Sequence, residues 1–228
     1  MDRATWDRRA PLAGACFAVL AAICFFLLPT SSAPKASDSG ATYLNYIAMH
    51  HHALLWRGYL TGIAFLFFIW FIACLQQRLQ DAGEHRLAST MYGGGLATAA
   101  LGMLQGATLC WLAWDHGGGL DGNVVKALIH APTFAFFFPW AVYVGAMSIA
   151  CRRARLMPEY MTMAGCVLAI WILVAALPIA HSGFFMPGGW FAGIALIAFL
   201  VHTCLGSLQL YMPAGERRML HHTPVMHH

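Results

Sequence analysis

Six long apolar runs separated by short polar links dominate this chain of 228 residues. They fall at about 12–28, 53–75, 91–114, 124–150, 160–180 and 189–211, each long enough to cross a ~30 Å hydrocarbon core as a helix of about 20 residues. The runs are continuously apolar instead of alternating, and open sheets leave unsatisfied edges in lipid, so helices are expected and strands are not. An ordinary soluble domain carries roughly 25% charged residues. Here 10% are charged and 60% are hydrophobic. The sequence therefore predicts an all-α polytopic transmembrane bundle of six spans. Residues 1–11 form a short N-terminus, 12–211 the transmembrane domain and 212–228 a histidine-rich tail, with no soluble domain.

Charge gives this bundle a direction. Of thirteen basic residues, ten lie in segments that must share one side: Arg3, Arg8, Arg9, Arg78, Arg86, Arg152, Arg153, Arg155, Arg217 and Arg218. The other side holds Lys35 and Lys126, with Arg57 just inside the second span. Cytoplasmic loops carry such an excess, so both termini are expected inside a multi-pass protein of the bacterial plasma membrane. The net charge of +4 orients the chain and does not mark a nucleic-acid surface. The first run resembles a signal peptide in its basic flank and its Ser31-Ser32-Ala33 exit. It exceeds the ~7–15 residues of a signal core, so a retained helix is expected. The seven cysteines form no Cys-x-x-Cys pair and none falls in an exterior loop, so they read as buried free thiols.

Between the runs, residues 29–52 form the longest connection, and its 43–49 part, with two tyrosines, suggests a short helix lying at the interface. Residues 76–89 read as a polar cytoplasmic link, with Pro158 placed to open the fifth helix. Gly58 with Gly62, Gly102 with Gly106, and Gly189 with Gly193 have the four-residue spacing that lets helices approach closely in lipid. Pro139 and Pro178 each remove a backbone donor within a span, so kinks are expected there.

Polar groups within the membrane are the best pointer to function, because each costs free energy unless it has a partner. None of the nine acidic residues lies deep in a span, which argues against a proton- or cation-coupled transporter. His130 lies about 9 Å below the exterior surface, and Gln105 reaches a similar depth from the other side. With His52, His181 and Arg57 they are candidates to line one exterior-facing pocket. Two histidines on different helices can hold a haem iron, so haem b on His130 with His181 or His52 is one expectation, with Arg57 facing a propionate. Copper on His50, His51, His52 and His116, with Met49 or Met186 nearby, is another. His202, mid-way along the sixth span, is expected to form a hydrogen bond across the bundle. The tail histidines His221, His222, His227 and His228 read as an unstructured end able to collect loose metal. The aromatic groups Phe134, Phe136, Phe137, Phe138 and Trp140, and Phe25, Phe26, Phe65, Phe67 and Phe68, suit packing, lipid contact or a flat lipophile.

Four segments carry a resemblance: Trp56-Arg57-Gly58-Tyr59-Leu60, Leu75-Gln76-Gln77-Arg78-Leu79, Tyr92-Gly93-Gly94-Gly95-Leu96 and Arg155-Leu156-Met157-Pro158-Glu159-Tyr160. Through them the chain resembles uncharacterised six-span membrane-protein families common in actinobacteria. The resemblance implies the bundle and carries no established activity or site residue. Short loops and no buried carboxylate favour a non-catalytic accessory or scaffold subunit, its partners the bilayer and other membrane subunits. A haem- or copper-binding redox protein is the second expectation, and a carrier of a small lipophile the third.

Overall fold

A computed structural model describes residues 9–26, 34, 37–116, 119–177 and 190–212. Among them the regular elements are six α-helices: α1 (Leu12–Phe26), α2 (Gly40–Asp81), α3 (His85–Trp114), α4 (Gly122–Arg153), α5 (Glu159–Ala175) and α6 (Trp190–Tyr211). Each helix packs on the next, α6 closes the ring on α1, and α2 also touches α4 across it. Four of them, α2, α3, α4 and α6, are long and apolar enough to cross a membrane, while α1 and α5 are shorter apolar helices. Large apolar side chains such as Val19, Leu66, Leu104, Phe138, Ile170 and Val201 point outward around the ring. Exposure on every side is what lipid, and not water, accommodates. The fold is that of a helical membrane bundle.

The second helix departs from expectation. Its 42 residues contain no proline, and Ser39 starts it by accepting the Thr42 N–H at 3.4 Å. At 1.5 Å per residue an unbroken helix of that length would reach about 63 Å, roughly twice the hydrocarbon thickness. The 43–49 segment is helical as expected: it belongs to a short first helix of α2, set off from the longer one by a break at His50 (φ −119°, ψ 19°). It folds over the bundle end, burying Tyr43, Tyr46 and Ile47 against Leu112, Ala113 and Val125. Gly40 and Gly122 meet there backbone to backbone, since a Cβ on either would collide with the other's main chain. The Lys126 ammonium adds a hydrogen bond to the Asp38 carbonyl at 3.1 Å.

At the opposite end α2 continues to Asp81 and α3 begins at His85, so only residues 82–84 of the expected 76–89 link lie outside a helix. Gly83, at φ +88°, turns the chain into α3, and the N–H groups of Gly83 and Glu84 donate back to Gln80 and Leu79 at 2.9 Å each. This is the glycine-terminated C-cap that only a residue without a Cβ enters cheaply. Ser207 of α6 bridges the start of α1, donating to the Pro11 carbonyl and accepting the Ala15 N–H. Arg78 donates to the Leu210 carbonyl at 2.7 Å, tying α2 to the end of α6.

Only one member of each glycine pair in α2 and α3 makes the expected close helix crossing. Gly58 faces the Gly106 carbonyl and Gly106 faces that of Gly58, whereas Gly62 has open space around it. Gly102 is filled by the Phe65 ring. In α6, Gly193 also has open space, and Gly189 lies outside the described residues. Helix α4 carries Pro132 and Pro139 inside yet runs unbroken from Gly122 to Arg153. The backbone around Pro139 is where Gly94 of α3 comes close. Pro178 falls outside the described residues. All seven cysteines are free; Cys24 and Cys151 are buried, while Cys16 faces outward and the rest are half-buried, so the expectation of uniformly buried thiols does not hold.

Candidate functional site

A cavity of about 210 Å³ lies between α1, α2, α3, α4 and α6. One face of α2 lines it with Arg57, Thr61, Ala64 and Phe65, residues that recur at three- and four-residue spacing and so share a face. Gln105 and Leu109 come from α3, and Thr133, Phe136, Phe137 and Trp140 from α4. Cys24 and Phe17 of α1 and Gly193, Leu196 and Phe199 of α6 complete the wall.

Five of these side chains form a closed aromatic ring. Phe17 meets Phe65 with centroids 5.6 Å apart, Phe65 meets Phe136 at 6.1 Å, and Phe136 meets Trp140 at 5.3 Å. Trp140 then meets Phe199 at 5.1 Å, and Phe199 returns to Phe17 at 6.0 Å. These separations suit tilted and edge-on aromatic contacts. Phe68, fully buried, touches Phe17, Phe65 and Phe199 and packs behind the ring.

The polar groups sit apart from that ring. The Gln105 amide donates to the Thr133 hydroxyl at 3.0 Å, and the Thr133 hydroxyl donates in turn to the Ile129 carbonyl at 3.2 Å. Thr61 donates to the Arg57 carbonyl at 2.7 Å, leaving the Arg57 side chain free of that contact. A guanidinium costs roughly 2.5–3.5 kcal/mol at the centre of a span by insertion scales, and less near its end, where Arg57 stands. The two ion pairs among the described residues, Arg152 with Glu159 and Arg153 with Glu84, both exclude Arg57. The buried Trp140 indole N–H also has no hydrogen-bond partner.

The expected exterior pocket is distributed over separate places. Arg57 and Gln105 line the cavity together. His130 is half-buried beneath the first turns of α2, where its Nε2 shares a 2.6 Å hydrogen bond with the Tyr43 hydroxyl. His52 is exposed and stacks beside His51 at 4.0 Å, and His51 meets His116 edge-on at 4.8 Å. His50 packs on Tyr46, its Nδ1 3.1 Å from the Tyr46 carbonyl. His181, Met186 and the tail histidines lie outside the described residues. His202 is buried beside Gly165 and Ser148, but its Nε2 has no partner and Ser148 donates to its own helix at Val144. The expected cross-bundle bond is therefore not made there.

A bis-histidine haem needs a free lone pair on each imidazole. His130 Nε2 is engaged by Tyr43, and His52 stands in a different cluster. Among the described residues no three of His, Cys, Asp or Glu are placed to hold a metal ion.

Sequence reading found Arg57 and Gln105 by their cost in lipid but missed Thr61, Thr133 and the ring. The signals were the Arg57–Thr61–Phe65 and Thr133–Phe136/Phe137–Trp140 spacings, each a helix face. Of the aromatic groups noted in the sequence, Phe25, Phe65, Phe136, Phe137 and Trp140 line the cavity, while Phe134 and Phe138 point outward. No family model matches the chain, and no curated protein or solved structure matches it.

Proposed function

We propose that this chain is a six-span protein of the bacterial plasma membrane, with both termini cytoplasmic, that binds and carries a small lipophile among its helices. The observation that supports the reading is the 210 Å³ cavity walled by the closed aromatic ring. A dry apolar cavity of about 150 Å³ suffices to hold benzene. Binding would follow from burial of apolar surface, worth roughly 25 cal/mol per Å² removed from water, with edge and face contacts from the five rings orienting a flat or chain-like guest. The accessory-subunit reading leans on the apolar outer faces, which lipid covers as readily as partner helices do.

Gly193 provides the test, since it lines the cavity and a side chain there meets nothing within 4 Å of its Cβ. Gly193→Phe should fill the cavity without disturbing the backbone. Titrating the purified protein with a neutral solvatochromic dye should give saturable binding in the wild type and about tenfold weaker binding in Gly193→Phe. Equal binding by both proteins overturns the reading.

A further inference from the structure

We infer that the occupant is an amphiphilic anion, a carboxylate or phosphate head on an apolar tail, and that Arg57 selects it. This rests on the lipophile-binding reading above and adds the chemical class of the guest. The cavity is graded along its length. Arg57 marks one end, Thr61 follows one turn on, and Phe65 of the aromatic ring lies two turns on, about 12 Å from Arg57 by helical rise.

A guanidinium stays charged at every ordinary pH and presents five donors in a planar fork that matches carboxylate and phosphate oxygens. Among the described residues Arg57 has no carboxylate within ion-pair distance. The titratable groups that it interacts with are the phenol of Tyr46 and the thiol of Cys24, neither an anionic counterpart. A neutral guest would leave this charge uncompensated in a low-dielectric wall, and a cationic guest would be repelled by it. An anionic head on Arg57, with its tail against Phe65, Phe136 and Phe199, satisfies both ends at once.

The test uses the full chain in alkyl maltoside micelles, whose uncharged heads offer Arg57 no anion. Three probes share one fluorophore and one tail: a long-chain fatty acid, its methyl ester and the corresponding alkyl phosphate. The wild type should bind one or both acids about tenfold tighter than the ester, and the tighter acid separates a free fatty-acid-like anion from a phospholipid-like head. Arg57→Gln should bring the acid-to-ester ratio to about one, and Arg57→Lys should keep part of the preference. Equal affinity of the wild type for acids and ester overturns the anionic head and leaves the lipophile reading standing. Absence of saturable binding by all three probes overturns both. The wild-type ratio needs no variant, so poor folding of Arg57→Gln does not block the answer.

Discussion

The hydrogen bond between Tyr43 and His130 joins the outermost turns of α2 to α4 at 2.6 Å in a half-buried setting. It gives His130, the histidine that stands deepest among the expected exterior set, a structural partner. Hydrogen bonds of this kind contribute about 1 kcal/mol net in water, and cross-helix bonds in membranes average about 0.6 kcal/mol. Tyr43→Phe should therefore lower the melting temperature in detergent by about 2–4 °C, the shift that ~1 kcal/mol produces in a chain of this size. A double-mutant cycle with His130→Phe should return a coupling of about 0.6 kcal/mol. A coupling of zero would mean that the two side chains do not act together. His130 was legible as costly from its position alone. Its partner was not, because Tyr43 lies 87 positions away in the chain and reaches His130 only when α2 folds over the bundle end.

At the level of helices, the α2–α3 crossing shows what a spacing rule can and cannot say. Small residues four apart in each helix pointed to tight packing, and Gly58 against Gly106 supplies it. Two helices inclined to each other approach closely at one place and diverge within a turn or two, so the second glycine of each pair meets something else. Gly58→Leu should drive a side chain into the Gly106 carbonyl and Cys110, costing about 1–3 kcal/mol or more. Gly62→Leu enters open space and should be tolerated. Size-exclusion profiles after stepwise heating in detergent will separate the two. Equal heat tolerance would show that the crossing is not a packing point. The start of α2 has a similar lesson. A polar, histidine-rich stretch without proline, and with glycine only at its first position, stays helical on both sides of the break at His50 once Ser39 has capped the start.

For the molecule as a whole, the segregation of basic residues predicts orientation. In a background lacking the seven native cysteines, Ser39→Cys should react with an impermeant maleimide on intact cells. Ala82→Cys, exposed at the opposite end of α2, should react only after permeabilisation. The reverse pattern would invert the topology. The sequence by itself determined helical class and membrane setting, and it carries the charge bias behind this expected orientation, because hydropathy, helix length and loop charge are sums over neighbouring residues. It also exposed Arg57 and Gln105, since a polar group in an apolar run is visible without knowing its surroundings. Only the tertiary structure decided that these two share a cavity, that His130 bonds to Tyr43 while His52 stacks on His51, and which phenylalanines close the ring. The physical reason is that the spans are apolar on nearly every face. No amphipathic stripe marks which side of a helix turns inward, so rotation and crossing are set by packing between distant segments. Phe137 is buried beside the cavity and Phe138 faces outward, one residue and about 100° of helix apart, a difference that hydropathy does not register.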